Sequence, residues 1–241
     1  MIKSLSITTF LLIFFGGSFL LPERSALLSG TKPGSQEQTG SIVGKVELRS
    51  LPPMVRRERS GGYGVSGMVH EADSRQEKIS ERRNVVVYLE GGRLETFRSP
   101  ESGRARMDQQ QARFVPHVLA IQKGSVVDFT NHDRVFHNVF SLSPTRKFNI
   151  GRRPTGEAVP VQFDKPGVVQ IFCDIHSQMT AYVVVLENPF FVQPADDGTF
   201  KIENVPPGTY TIKAWHERVT SPEQKITVTA GTTTSANFVL E

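Results

Sequence analysis

The chain has 241 residues, 28 of them Lys or Arg and 24 Asp or Glu, for a formal net charge of +4. The basic residues are scattered or sit in loop-like tracts such as Arg56, Arg57 and Arg59, with no stripe to follow a phosphate backbone, which argues against a nucleic-acid partner. With one cysteine, the chain can form no internal disulfide.

Met1-Ile2-Lys3 is a short basic start, followed by the mostly apolar run Leu5 to Leu21 and then by polar, Pro-containing sequence. This pattern predicts an export signal over residues 1–26. The alternative is an uncleaved anchor, because residues 5–21 are at the short edge of what spans a bilayer. Either way the expected location is periplasmic or at the outer face of the cytoplasmic membrane. Residues 27–40, rich in Gly, Ser, Thr, Gln and Pro, have a tether composition.

Residues 41–48 (SIVGKVEL) alternate as a strand, with Ile42, Val46 and Leu48 on one face. Residues 50–83 combine Pro, Gly, Ser and charges with little apolar periodicity and predict an exposed excursion. The apolar run NVVVYLE at 84–90 suits a sandwich-core strand, and 91–112 is polar and predicts a linker. From Arg113 strands alternate with turns: Val118 to Gln122, Val126 to Thr130, Phe136 to Ser141, Gly167 to Cys173 and Thr180 to Leu186. Residues 188–241 add about five more, with turns at Asp197-Gly198, Pro206-Pro207-Gly208 and Ala230-Gly231. No convincing amphipathic helix follows the signal, so the fold class is all-β.

Cys173 opens the run Cys173-Asp174-Ile175-His176-Ser177-Gln178-Met179, which spaces thiolate, imidazole and thioether three residues apart. A His2Cys set with a weak axial Met is the donor group of an electron-transfer copper centre, because soft sulfurs hold Cu(I) while imidazoles also serve Cu(II). The second histidine is then His137, in Phe136-His137-Asn138-Val139-Phe140. Val169, Ile171 and Cys173 share one strand face, which points the sulfur into the core. Asn138 could tie the two ligand segments together by hydrogen bonds. An unpaired cysteine in an exported chain is open to oxidation unless buried or metal-bound, which favours the ligand reading over an inert core thiol. The competing reading of Met179 is a plain core residue that fills an irregular gap. His117, His132 and His216 lack partners at ligand spacing and read as structural or exposed, and His70 as solvated loop. A Cys-His hydrolase would need an orienting third group and an oxyanion hole. Zinc would leave Met179 as a poor donor. No enzymatic activity is expected.

Phe114-Val115-Pro116, Ile121-Gln122-Lys123-Gly124, Val127-Asp128-Phe129-Thr130-Asn131 and His137-Asn138-Val139 together resemble the plastocyanin and amicyanin family of cupredoxins, over residues 113–187. The short ligand loop is more similar to that of amicyanin, though Asp174-Ile175 stands where a proline is usual. The resemblance implies a Greek-key sandwich holding one mononuclear type 1 copper, with His137, Cys173 and His176 as strong ligands and Met179 as the axial one. It also implies single-electron exchange with a redox donor and acceptor protein near the His176 edge. DDGTFKIENVPPGTYTIKAW in 188–241 resembles the transthyretin-like, carboxypeptidase-regulatory-type sandwich. The order of the two modules is similar to exported proteins labelled methylamine-utilisation-like. The usual opening strands of that sandwich are absent from 188–241 but present at 41–90. The expectation is therefore a split sandwich with the cupredoxin inserted, the rival being NVVVYLE as an early cupredoxin strand. A copper-handling protein without a redox partner and a β-sandwich protein lacking metal are the other functional readings.

Overall fold

The computed structural model describes residues 38–49, 81–98 and 103–241. The signal or anchor at 1–26, His70 and most of the excursion at 50–83 lie outside the described residues. No helix among the described residues is long and apolar enough to cross a membrane.

The chain is all-β. Its strands are β1 (Gly40–Leu48), β2 (Val86–Glu90), β3 (Arg104–Gln110), β4 (Arg113–Val115), β5 (Val118–Gln122), β6 (Ser125–Asn131), β7 (His137–Ser141), β8 (Phe148–Arg153) and β9 (Ala158–Phe163). Then follow β10 (Gly167–Phe172), β11 (Thr180–Leu186), β12 (Phe191–Val192), β13 (Thr199–Val205), β14 (Gly208–Trp215), β15 (Gln224–Val228), β16 (Thr233–Ser235) and β17 (Phe238–Leu240).

The strands form two sandwiches. In the first, the sheet β5-β11-β10-β7-β8 faces the sheet β4-β3-β6-β9 across a core that includes Met107, Phe129, Phe163, Ile171, Cys173 and Met179. Alternation in β10 sends Val169 and Ile171 into this core, which carries Cys173 inward one step past the strand's end. In the second, β1 pairs with β13, β16 and β17, while β2 pairs with β12 and β14. Ile42 and Val46 of β1 and Val87 and Leu89 of β2 meet Ile212, Ile226 and Phe238 in one core. Gly44 marks the place where β1 changes partner from β16 to β17. A Cβ there would lie 1.6 Å from the Ala236 carbonyl oxygen, so no other residue fits.

Three sequence expectations change. The ladder of β2 runs only to strands of the second sandwich, so NVVVYLE is not an early strand of the first. The stretch 91–112 is more than a linker: it carries a short 3-10 turn at Leu94–Thr96 and the whole of β3, which pairs in parallel with β6. Its signal was faint because only Met107 among its inward positions is large and apolar; Gln109 is just as buried. Finally, the end of the predicted excursion is packed. Glu81 is buried, with Oε2 3.2 Å from His216 Nε2 and Oε1 2.6 Å from Arg218 Nη2.

The two sandwiches share a third cluster, in which Val86, Tyr88 and Trp215 of one pack on Val118, Val184 and Leu186 of the other. Each buried aliphatic side chain there contributes about 1.5–3 kcal/mol. The connection is drawn tight by Asn188, whose Nδ2 donates to Leu89 O at 2.9 Å and whose Oδ1 accepts the Phe190 N–H.

Two outcomes follow from this packing. A chain ending at Glu187 loses the ladder partners of β1 and β2, and is expected to aggregate or to lose its cooperative melt in calorimetry. A soluble, cooperatively melting fragment would show that the first sandwich stands without the second. Glu81 supplies the acid sensitivity. Burial pushes its carboxyl up, but hydrogen bonds from His216, Asn84 and Arg218 outweigh this and lower it to about 2. A depressed carboxylate stabilises the fold above its unfolded value near 4.5, and this contribution fades as pH falls toward about 2. Glu81→Gln should cost about 3 kcal/mol at neutral pH and flatten the pH dependence of the thermal midpoint between pH 5 and about 2.

Candidate metal centre

Three donor atoms converge at one end of the first sandwich. His137 opens β7 and is wholly buried, Cys173 follows β10 and is 5% exposed, and His176 is half-buried in the loop between β10 and β11. Their ligand atoms all lie within 4.8 Å of one another. Cys173 Sγ is 3.9 Å from His137 Nδ1, and the Nδ1 atoms of His137 and His176 are 3.1 Å apart.

The separations of His137 from His176 and from Cys173 suit a shared ion. Two nitrogens bound at about 2.0 Å with about 105° between them sit about 3.2 Å apart, and a sulfur at about 2.3 Å opened toward about 130° sits about 3.9 Å from a nitrogen. One thiolate with two imidazoles, next to a thioether, is a soft donor set that suits copper better than a hard cation. The loop itself is closed by its own backbone. The Met179 N–H donates to His176 O at 2.9 Å and the Cys173 N–H to Met179 O at 3.3 Å, so residues 173–179 form a tight ring joining β10 to β11. Met179 is 1% exposed and packs in the same apolar cluster as Cys173.

The orientation of His137 is set from behind. Its Nε2 lies 2.8 Å from Asp133 Oδ2, so the ring donates from Nε2 and turns the Nδ1 lone pair toward Cys173 and His176. Asp133 also accepts the amides of Gln111 at 2.7 Å and Ala112 at 2.8 Å. Burial raises the Asp133 carboxyl, yet these two amides and the His137 ring together bring it below the ordinary value. Gln111 and Ala112 form the two-residue turn between β3 and β4, with φ of 54° and 53°. That left-handed pair normally belongs to Asn-Gly or Gly-Gly. Here non-glycine residues hold it, and the amides so presented bind the carboxylate that aims His137. Asn131 completes the brace: its Oδ1 accepts the Asp133 N–H, and its Nδ2 donates to Val135 O and Arg153 O.

The structure thus gathers His137, Cys173 and His176, with Met179 buried in the core below them, and departs from expectation at Asn138. That side chain is buried, but its Oδ1 has no hydrogen-bond partner among the described residues. The side-chain support found for His137 comes from Asp133, which sequence reading missed. The signal was available in the four-residue step from Asp133 to His137, but on a turn that spacing has no regular meaning. His117 and His216 are tied to Glu217 and Glu81, and exposed His132 lies 3.2 Å from Asp108.

A family model described as polysaccharide lyase family 4, domain II, a fibronectin-like β-sandwich, matches residues 178–236, less than half of the chain. The transthyretin-like character of the second sandwich remains a likeness of sequence. No curated protein matches the chain. Among solved structures, a copper-containing nitrite reductase from Thermus scotoductus is 24% identical over 37% of this chain and 23% of its own, with a TM-score of 0.33. The chain therefore spans about a quarter of that enzyme. A purple cupredoxin from Nitrosopumilus maritimus is 26% identical over 34% of this chain and 99% of its own, with a TM-score of 0.31. A reduced amicyanin variant is 20% identical over 42% of this chain and 98% of its own, with a TM-score of 0.33.

Replacing Asp133 by Ala frees the His137 ring and is expected to weaken metal binding about 10- to 100-fold in a competition titration. Asn138→Ala should weaken it less, because Oδ1 makes no bond to lose. The reverse order would show that Asn138 supports the centre and Asp133 does not.

Proposed function

We propose that this is an exported type 1 copper protein that passes single electrons, with no catalytic activity of its own. The observation that carries the reading is the convergence of one buried thiol and two imidazoles within 4.8 Å of one another, with His137 at distances from both partners that an ion would bridge. Copper bound there would supply a one-electron couple between Cu(I) and Cu(II). His137, Cys173 and His176 would hold it, and Met179 would be the weak axial donor. The chain's part is to keep these donors in place in both oxidation states. His137 is aimed by Asp133, while the closed ring of 173–179 carries both sulfurs and His176.

His176 is the most exposed of the three donors; Ile175 before it is 40% exposed, and Val135 and Phe136, before His137, are 52% and 57% exposed. An apolar rim of this kind sheds its water readily on contact and suits brief docking of a donor or acceptor protein. Electrons would enter and leave through the His176 edge. The second sandwich would serve as scaffold, and residues 1–26 would direct export or, through 5–21, tether the protein to the membrane.

The test is optical. Cu(II)-loaded protein should show an intense visible thiolate-to-copper band that bleaches on reduction, and Cys173→Ser should abolish it, because a hydroxyl cannot replace the soft covalent donor. Met179→Leu should keep copper and raise the potential, since loss of the thioether disfavours Cu(II). Tight binding of one zinc, or copper without the band, would sink the proposal. A band with slow exchange toward small redox proteins would move it to copper handling.

A further inference from the structure

His117 grips the strand leaving the ligand loop from the outer side of the sheet. It stands one residue before β5, the parallel neighbour of β11. Its Nδ1 lies 3.1 Å from the carbonyl oxygen of Thr180, the residue after Met179, and its own carbonyl accepts the Tyr182 N–H at 2.9 Å. The other ring nitrogen, Nε2, lies 2.8 Å from Glu217 Oε1. With acceptors at both nitrogens the ring donates twice, as an imidazolium. Burial opposes that charge, but Glu217 outweighs burial and raises the pKa.

Glu217 belongs to the other sandwich. It follows β14, between His216 and Arg218, both of which contact Glu81, and its side chain is 8% exposed. It also hydrogen-bonds Tyr182, whose ring packs edge-on against His117 at 5.7 Å and Trp215 at 5.6 Å. The second sandwich thus reaches, through one buried carboxylate and one imidazolium, the backbone next to the proposed axial donor.

We propose that His117 and Glu217 are positioning residues for the metal centre, fixing the Thr180 carbonyl and with it the Met179 end of the ligand loop. His137 has its own anchor in Asp133 and Cys173 continues a core strand, whereas Met179 stands at the join of the loop to β11. The thioether is the weakest donor of its set, so its placement responds most to a small backbone shift. The proposal rests on the copper reading for its spectroscopic arm, while its backbone arm stands without metal.

Glu217→Gln keeps the shape and removes the charge, Glu217→Asp keeps the charge, and Asp196→Asn, which breaks a surface ion pair with Arg83 in the same sandwich, is the control. In metal-free protein, amide hydrogen exchange at Met179 and Tyr182 should speed about tenfold in Glu217→Gln and stay unchanged in the control, reflecting loss of a charge-assisted bond. In copper-loaded protein the reduction potential and the ratio of the thiolate bands should shift in Glu217→Gln and return toward wild type in Glu217→Asp. Should Glu217→Gln fail to fold, His117→Gln takes its place in both measurements. Unchanged exchange, or faster exchange with potential and bands unmoved, overturns the proposal. A wild type without the thiolate band removes the copper reading, and the exchange result alone then decides whether the clamp exists.

Discussion

The candidate metal centre depends on one carboxylate. Asp133 spends its two oxygens on the Gln111 and Ala112 amides and on His137 Nε2, and so joins the β3–β4 turn, the β6–β7 loop and the most buried ligand. Each bond alone is modest, roughly 1.5–3 kcal/mol where a charge takes part. Their value lies in direction. A buried imidazole can turn about its bond to Cβ, and only an acceptor behind Nε2 keeps Nδ1 facing Cys173. The strain of two left-handed non-glycine residues is the cost of presenting two amides to one acid, and it offsets the burial that would otherwise favour the neutral form.

A second constraint comes from outside the first sandwich. The strands β1 and β2 precede it in the chain, yet pair only with strands that follow it. The segment carrying the metal centre is therefore held at both ends by one body, and the cluster of Val86, Tyr88 and Trp215 against Val118, Val184 and Leu186 presses the two together. Two domains joined by a linker would reorient freely. Here Asn188 and Gln193 add side-chain bonds across the junction, to Leu89 O and Val118 O, and leave little play.

Legibility in the sequence followed the strength of the apolar signal. Thr180–Leu186 and Val86–Glu90, with runs of Val and Leu, were plain, and so was the donor spacing of Cys173, His176 and Met179. Arg104–Gln110 was not, because a strand with one fully buried Met and an equally buried Gln has too little hydrophobic contrast to show a period of two. The supporting residues were harder still. Asp133, Glu217 and Glu81 act through partners 22, 100 and 135 residues away, contacts no local pattern encodes. Asn138 drew attention because it adjoins a ligand, but chain adjacency on a strand sends neighbouring side chains to opposite faces. His137 lies in the site, and the buried Asn138 beside it has an Oδ1 without a hydrogen-bond partner among the described residues.

The same geometry divides labour between the two histidines. His137 has no exposed surface and has its second nitrogen occupied by Asp133, so it can anchor an ion but offers no path outward. His176 lies in a loop and is partly exposed, next to the exposed Ile175, while the exposed Val135 and Phe136 precede His137. On the copper reading proposed above, a centre that stays dry and still accepts electrons needs this asymmetry. On that reading the buried donors would limit rearrangement, and the open His176 edge would shorten the path to a docking protein. The apolar surround also keeps the local dielectric low, which makes the bound ion sensitive to the few fixed charges nearby. On the copper reading, the Asp133 carboxylate, 2.8 Å behind His137 Nε2, is one of these.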